Sequence, residues 1–432
     1  MMTKNPYLSI WLGLLLALIH SGAMAQIEVE RTVTSNMVVP DNGTRSGYFI
    51  WSNAGISVVS STAITLNFSS PFASNPAVWS QLASSLTFGA GGGTPVTSSL
   101  FSAGGLSSAS QTFTSEGFDG NWQNNNRWDL SVTDTQGGGI AKLDSWKLAV
   151  EGTAAGAGST LDLSQGGTVR VSSNAGSTQT LGNVATGSAG NTATVEAGSG
   201  KTLEVAGVVS GAGSLTKNGA GEAILSGSSA NTFTGATTVS SGTLRLNKSA
   251  GTTAISGSSI AVNTGGTLIL GAANQIGDTT AVSLGGGVLD TGGFADAAGK
   301  LTVSANSTIQ GLNGTSDFVF SDIDLSTYAG STGSALTLLG TGGNAITSGS
   351  VIRISSSNYT SWSGYNTASF NNFQSKLSFN DQTLQAQINF SGGYTTLTAI
   401  PEPKVYLAAA GLVILIGWTE YRRRRPRDRA AV

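Results

Sequence analysis

Hydrophobic and polar residues alternate one by one along two neighbouring stretches of the chain, residues 127–134 and 143–152. In each stretch Trp, Leu and Val follow one another at every second position, with polar or small residues between them. A period of two is typical of β-strands that bury one face. A glycine-rich segment lies between the stretches, so the pattern predicts two strands with a turn between them.

From residue 155 to 310 the hydrophobic residues form short Leu, Val and Ile runs separated by Gly, Asn and Ser. The sequences GTLRL at 242–246 and GTLIL at 266–270 lie 24 residues apart, and related pieces begin at Gly167 and Lys201. Short β repeats at such a step predict a β-solenoid, in which each coil covers the apolar face of its neighbour. The spacing is irregular, so an array of β-sandwiches is the alternative.

The start of the chain has the pattern of an export signal. A lone lysine precedes an apolar run over residues 8–19, and Ala23 and Ala25 form a small-x-small cleavage site. This order predicts that residues 1–25 are a signal peptide that is cut before Gln26. An uncleaved membrane anchor is the alternative, but the apolar run is shorter than the roughly 20 residues of a membrane span.

At the other end, Pro401, Glu402 and Pro403 precede an apolar stretch over about 404–421. Proline cannot donate to a sheet, so these residues predict a linker after the last strand. The apolar stretch predicts a short transmembrane helix. It is followed at once by four arginines, Arg422, Arg423, Arg424 and Arg425. Such residues hold that end of a span in the cytoplasm, whereas a buried core helix, the alternative, would bury them unpaired at prohibitive cost.

The composition excludes several kinds of site. The chain has no Cys, and its one His, His20, lies in the predicted signal peptide. The exported body therefore lacks the residues of a His- or Cys-based catalytic dyad or triad, of a His/Cys zinc site and of a disulfide. No cofactor is predicted.

Charged residues are few and unevenly distributed. They make up 10% of the chain, and residues 26–400 hold 13 Lys and Arg against 20 Asp and Glu, a net charge of −7. The arginines of the tail hide this excess in the near-neutral value for the whole chain. An acidic body without a basic patch does not suit nucleic acid, whose binding depends on neutralising phosphates. No nucleic-acid partner is predicted.

Four short patterns stand in a fixed order near the end of the first block: a Phe-x-Gly at 118–120, a Trp-x-Leu-x-Val-x-Asp at 128–134, the glycine-rich segment and a Leu-x-x-Trp-x-Leu at 143–148. In this order they resemble the end of a P domain, also called P/Homo B. The resemblance implies a jelly-roll-type β-sandwich over 26–154. Residues 67–71 depart from the family's middle segment. P domains accompany subtilisin-like proteases, but this chain lacks the His that a protease triad needs.

Three aspartates of this block are candidate calcium ligands: Asp119, Asp129 and Asp134. Ca²⁺ favours clustered oxygen ligands, which these carboxylates would provide if they met. The alternative is that they cap turns or lie on solvated strand faces.

Residues 213–246 carry a set of landmarks within the predicted solenoid. These are Lys217, the glycines between 219 and 227, the run NTFTG at 231–235 and GTL at 242–244. The glycines fit tight turns, and the NTFTG run fits a corner. The segment resembles one copy of the autotransporter-associated β-strand repeat, which implies a surface β-solenoid and no chemistry of its own.

The tail, residues 400–432, combines Pro-Glu-Pro, a short apolar span and a terminal arginine cluster. In this order they resemble the PEP-CTERM sorting signal of Gram-negative bacteria. The resemblance implies that an exosortase, a membrane enzyme, cuts near the Pro-Glu-Pro. The helix would then anchor the protein transiently in the inner membrane, before the protein reaches the cell surface or the medium.

The fold class predicted from these features is all-β: a jelly-roll-type sandwich, a β-solenoid, a β-rich end over 311–399 and a short C-terminal transmembrane helix. In the β-rich end, aromatic residues at 359, 362, 365 and 370 could stack on sugar rings, although aromatics near strand ends usually cover a core.

The predicted function is that of a non-catalytic cell-surface or extracellular-matrix protein, an adhesin or scaffold, with exopolysaccharide as a candidate partner. One alternative is a polysaccharide-binding or polysaccharide-processing solenoid, because glycoside hydrolysis needs only two carboxylates at a defined separation. Asp322 with Asp324, on one strand face, and Asp290 with Asp296 are the candidates. Another alternative is a P-domain module that assists a separate protease.

Overall fold

The computed structural model is all-β, as predicted, and no helix occurs among the residues that it describes. By internal contacts the chain divides into two compact units, Met1–Thr280 and Ala281–Val432. The described residues are 26–39, 43–51, 56–69, 82–89, 96–101, 110–115, 126–135, 141–154, 156, 158–173, 175–312, 318–325, 328, 335–340, 350–355, 377–379, 384–391 and 394–401.

The described part of the first unit starts with eight strands, which we call the N-terminal block: β1 (Gln26–Val39), β2 (Thr44–Trp51), β3 (Ile56–Ser69), β4 (Leu82–Gly89), β5 (Val96–Phe101), β6 (Ser110–Ser115), β7 (Asn126–Asp134) and β8 (Ala141–Ala154). They form two antiparallel arrays, in the orders β1-β8-β3-β6 and β2-β7-β4-β5. β7 and β8 are the two strands predicted from the alternating stretches. They lie in different arrays, so they do not pair with each other.

The alternation in β7 and β8 corresponds to the burial of their side chains. Leu130 and Val132 of β7 are fully buried, and so are Leu148 and Val150 of β8. β1 and β7 belong to different arrays and contact each other. The apolar faces of the two arrays therefore supply the core of this block.

Thirteen further strands of the first unit wind into coils: β9 (Thr160–Asp162), β10 (Gly167–Val171), β11 (Thr178–Leu181), β12 (Asn183–Ala185), β13 (Thr192–Glu196), β14 (Thr202–Val205), β15 (Val209–Ser210), β16 (Ser214–Asn218), β17 (Glu222–Gly227), β18 (Thr237–Val239), β19 (Gly242–Lys248), β20 (Ser259–Asn263) and β21 (Gly266–Leu270). Parallel pairing stacks them as β10-β13-β16-β18-β20, β11-β14-β17-β19-β21 and a shorter third face, β9-β12-β15. This is a β-solenoid, as predicted.

The separation of 24 residues between the two similar sequences is also the separation at which residues pair between adjacent coils. Residues 242–246 lie beside 266–270, residue for residue. Inward positions form apolar columns, and one fully buried column is Leu203, Ala223, Leu244 and Leu268. Each coil thus covers the apolar face of its neighbour, which explains why single short strands suffice. The related piece that begins at Gly167 lies in the other long sheet.

The described residues of the second unit form ten strands: β22 (Ala281–Gly285), β23 (Val288–Asp290), β24 (Asp296–Ala305), β25 (Ser307–Leu312), β26 (Phe318–Asp324), β27 (Leu336–Gly340), β28 (Ser350–Ser355), β29 (Leu377–Phe379), β30 (Leu384–Ser391) and β31 (Tyr394–Pro401). Parallel stacking proceeds in the orders β22-β24-β26-β28 and β23-β25-β27-β29. Solenoid-type stacking therefore extends beyond residue 310. β31 runs antiparallel to both β28 and β30.

The end of β31 corrects one detail of the predicted linker. Pro401 is the last residue of the strand and lies opposite Leu384. A proline can end a strand because its fixed φ suits extended backbone, and its missing N–H matters mainly in the interior of a sheet. The linker can begin only after Pro401.

Several predicted segments lie outside the described residues. They are the signal peptide with Ala23 and Ala25, the residues Glu402 and Pro403, the helix at about 404–421 and the four arginines that follow it. Asp119 and the aromatic residues from 359 to 370 also lie outside. Within the described part, no helix has the length and apolarity needed to cross a membrane.

Candidate functional site

Asp322 and Asp324 share one face of β26, as their spacing predicted. Both lie near Lys300 of the neighbouring strand β24, whose Nζ is 2.7 Å from an Asp324 oxygen and 3.8 Å from an Asp322 oxygen. The hydrogen bond to Asp324 raises the pKa of Lys300, burial opposes this shift, and the charges of both carboxylates add to it. The two carboxylates thus flank a cation, an arrangement that suits a surface ion-pair cluster.

The second candidate pair, Asp290 and Asp296, is divided between β23 and β24. Asp290 accepts hydrogen bonds from the backbone amide of Gly292 and from the side-chain amide of Gln310, both at 2.8 Å. Asp296 is buried and accepts a hydrogen bond from the backbone amide of Ala297 at 2.8 Å. These bonds are typical of aspartates that hold turns and strand ends.

The structure does not bring together the two described calcium candidates. Asp129 and Asp134 are five positions apart in β7, so they point to opposite faces, about 16 Å apart along the strand. Asp134 lies on the inward face, 2% exposed, and its backbone amide donates to the carbonyl oxygen of Gly43. Across the described ranges, no group of three or more His, Asp or Glu side chains is placed to hold a metal ion.

The repeat-like segment contains a buried lysine, Lys217. The alternation of the strand places it inside, but its burial was not among the predictions. Lys217 occupies an inward column between Val195 and Val239 and is fully buried. Its ammonium group donates to the backbone carbonyls of Asn218 at 2.8 Å, Gly219 at 2.7 Å and Ser241 at 3.1 Å. All three of its donors are thereby used.

The environment of Lys217 weakens its hold on the proton. Burial lowers the pKa of the side chain to about 8, while the negative charges of Glu196 and Glu222 oppose that shift. The residue shares the parity of Leu215, so the period of two places it inside. Lysine is seldom fully buried, which is why the position is easily overlooked in the sequence.

Asn231 begins the predicted corner, and residues 231–235 indeed lie between strands. Its side-chain oxygen accepts a hydrogen bond from the backbone amide of Val209 at 2.9 Å, and its side-chain nitrogen donates to the carbonyl of Ala254 at 2.8 Å. Val209 belongs to the preceding coil and Ala254 to the following one. One buried side chain therefore joins three successive coils where the third face has no regular strand.

Gly235 closes this corner where two coils nearly touch. A Cβ atom at this position would lie 2.3 Å from the carbonyl oxygen of Gly213 in the preceding coil. Any larger residue would force the coils apart, so the glycine is required by close approach of the backbone. Asn231 and Gly235 are thus positions at which neighbouring coils are joined.

The outward face of the β10-β13-β16-β18 sheet carries four partly exposed threonines in register. We call this row the threonine column: Thr168, Thr194, Thr216 and Thr238. Neighbouring strands lie about 4.8 Å apart, so the hydroxyl groups repeat at that step. Each hydroxyl can donate and accept hydrogen bonds. The column is an uncharged, regularly spaced candidate surface for a hydroxyl-rich ligand.

Residues 215–246 match the family model described as Passenger-associated-transport-repeat. This match falls within the segment 213–246 that was predicted to be an autotransporter-type repeat, and it confirms that prediction. No curated protein matches the chain.

Three solved structures show weak similarity to the chain. The Aeromonas sobria serine protease in complex with its chaperone ORF2 has 18% identity and a TM-score of 0.25, over 33% of this chain and 29% of that one. The serine protease of Aeromonas sobria has 17% identity and a TM-score of 0.24, over 32% and 29%. FlhE has 15% identity and a TM-score of 0.22, over 30% and 98%. The chain thus spans less than a third of the length of the two protease structures.

Proposed function

We propose that the chain is an exported, non-catalytic protein of the cell surface or extracellular matrix, in which the solenoid acts as a scaffold or adhesive stalk. The observation that carries this proposal is a stack of parallel coils, one segment of which matches a passenger-associated repeat. The candidate carboxylates support a structural role, because they accept hydrogen bonds in turns or flank a lysine.

The N-terminal block fits the same proposal as a P-domain-like module. Its eight strands fall into two four-stranded arrays, and most strands alternate between the arrays along the chain. This arrangement supports a jelly-roll type, which has eight strands in two sheets.

We further propose that the two ends of the chain direct its export and sorting. The signal peptide would be removed before Gln26, and an exosortase would cut near Pro401, Glu402 and Pro403 after transient anchoring in the inner membrane. Replacing these three residues with alanine should leave the protein cell-associated with an uncut tail, whereas replacing Arg427 and Arg429 should not. Western blotting of cells and medium measures both. Equal release of the two variants would contradict sorting by this signal.

The threonine column favours a second candidate function, binding of exopolysaccharide. A polymer rich in hydroxyl groups could exchange hydrogen bonds with side chains that repeat at every strand. Valine at Thr194 and Thr216 should weaken co-sedimentation with purified exopolysaccharide, because valine keeps the shape and removes the hydroxyl. The matched control is valine at Thr243 and Thr267, which neighbour each other on the other long sheet. Equal binding by both variants would reject the column as a binding surface, and shortening of the polymer would favour catalysis.

A further inference from the structure

We propose that the N-terminal block is the cap of the solenoid: β1 occupies the open edge of the first coil and so prevents a second copy of this chain from adding to the stack. The first coil consists of β9, β10 and β11. This role goes beyond surface scaffolding and does not depend on it.

The first coil needs such a cover for a physical reason. A terminal strand presents unpaired N–H and C=O groups that can accept a strand from another molecule. In solenoids the coils resemble one another, so an uncovered end invites further stacking, and capping units are needed for solubility.

β1 runs antiparallel to the strand beside it, so the stack of parallel strands stops at β1. β10 pairs in parallel with β13 but antiparallel with β1, through Ile27–Val171 to Glu30–Thr168. The opposite edge of β1 is taken by β8 over the same residues. A second copy would have to extend the stack in parallel with β10, and β1 occupies that edge.

Charged side chains reinforce the seam between β1 and β10. Arg170 of β10 forms ion pairs with Glu28 and, at 3.0 Å, with Glu30 of β1. Lys147 of β8 lies 3.2 Å from the same Glu30 oxygen, and Arg170 also lies 3.6 Å from Glu196 of the next coil. Single surface pairs contribute little, but a connected network restrains several strands at once.

The seam is apolar on its inward side. Ile27 lies opposite Val171, and Val29 lies opposite Val169. Ile27, Val29 and Val169 are fully buried, and Val171 is nearly so. Separation of β1 would expose these side chains to water, so the uncovered coil would gain a hydrophobic edge.

The N-terminal block also contacts a second strand of the first coil and interacts electrostatically with the third. Burial lowers the pKa of Arg31 of β1, and the negative charge of Asp162 on β9 acts in the opposite direction. β11 contacts β8 directly. The block therefore contacts β10 and β11 directly, and a charge on β9 acts on its Arg31.

A reversible lock tests this role in the full chain. Glu28 and Arg170 are directly opposed in an antiparallel pair, a separation that suits a disulfide. The chain has no cysteine of its own, so Glu28→Cys with Arg170→Cys introduces its only thiols. Oxidised with glutathione disulfide, the variant should keep the mass of one copy in light scattering. When it is reduced with dithiothreitol, the variant should assemble as the protein concentration rises, and its mass in light scattering should roughly double or increase further.

The control for the lost ion pair is Glu222→Cys with Arg245→Cys, which is studied in its reduced form because Glu222 lies opposite Thr243 and not opposite Arg245. It removes the same residue types from an ion pair of 2.7 Å between two coils, away from the cap, and it should show no assembly when reduced.

Hydrogen exchange should report faster exchange in β10 of the reduced cap variant, with β16 to β19 still protected. Equal mass and equal exchange in both redox states would overturn the proposal. So would loss of protection throughout the coils without assembly, because β1 would then be needed for folding and not for capping.

Discussion

Replacing Asn231 with alanine should loosen the solenoid where one side chain joins three coils. Asn231 is 3% exposed. Its side chain accepts a hydrogen bond from the amide of Val209 at 2.9 Å and donates to the carbonyl of Ala254 at 2.8 Å. Alanine removes both partners while the donor and the acceptor remain in the interior.

The size of the effect follows from these two groups. A buried polar group left without a partner costs about 1–3 kcal/mol, so two groups cost about 2–6 kcal/mol. The missing amide group leaves room in which a water molecule can replace part of the bonding. We therefore expect a loss of about 3 kcal/mol in the free energy of local opening, near the lower end of that range.

Hydrogen exchange of the native chain, followed by mass spectrometry, is the suitable assay because a long repeat array need not unfold in one step. A loss of about 3 kcal/mol should accelerate exchange around β15 and β18 by roughly 100-fold. The control is Asn218→Ala. Asn218 is exposed, and the one hydrogen bond described for its side-chain oxygen is accepted from the Ser241 hydroxyl at 3.1 Å. Removing the Asn218 side chain should therefore change the free energy of unfolding by less than about 0.5 kcal/mol.

Similar exchange in Asn231→Ala and Asn218→Ala would refute this reasoning. It would mean that the amide of Val209 and the carbonyl of Ala254 find other partners at no cost. The corner would then be held by its backbone bonds alone.

Three further changes test other parts of the core. Thr237→Val should raise the free energy of unfolding by about 1 kcal/mol, because the Thr237 hydroxyl is buried and has no hydrogen-bond partner among the described residues; a lower urea midpoint would contradict this. Gly235→Ala should destabilise strongly, since its Cβ would lie 2.3 Å from a carbonyl oxygen, whereas Gly156→Ala, where no described atom lies within 4 Å of the added Cβ, should not; equal melting temperatures would contradict this. The pKa of Lys217 is about 8 when folded, against 10.5 for the free side chain. Between these values the unfolded chain binds more protons, so stability should rise as pH increases from 8 to 10.5, and Lys217→Met should remove that rise in urea titrations; a flat wild-type profile would contradict this.

Much of the coil structure could be predicted because alternation determines which side chains face inward. The similar sequences at 242–246 and 266–270 pair with each other residue for residue in the structure. The same parity correctly placed Asp322 and Asp324 on one face. It also shows why Asp129 and Asp134, an odd number of positions apart, cannot meet at one metal ion.

The partners of these residues could not be predicted in the same way. Paired residues in adjacent coils lie between 20 and 26 residues apart in the first unit, for example Thr202–Glu222 and Gly167–Ala193. With so irregular a step, alternation does not identify Lys300 as the residue beside Asp322. Side-chain parity is a local property, whereas register depends on the length of each corner.

The pairing between the N-terminal block and the solenoid could not be predicted from the local sequence either. The change in texture after residue 154 predicted a domain boundary, and β8 ends at that residue. However, β1 crosses this boundary by pairing with β10, and Arg170 reaches Glu28 over a sequence separation of 142 residues. Only the folded structure brings these strands together.

The intact mass of the protein recovered from the cell surface and the medium tests export and sorting most directly. We predict a chain that begins at Gln26 and ends close to Pro401. A protein that keeps both residues 1–25 and the tail through Val432 on all molecules would contradict an exported, sorted surface protein.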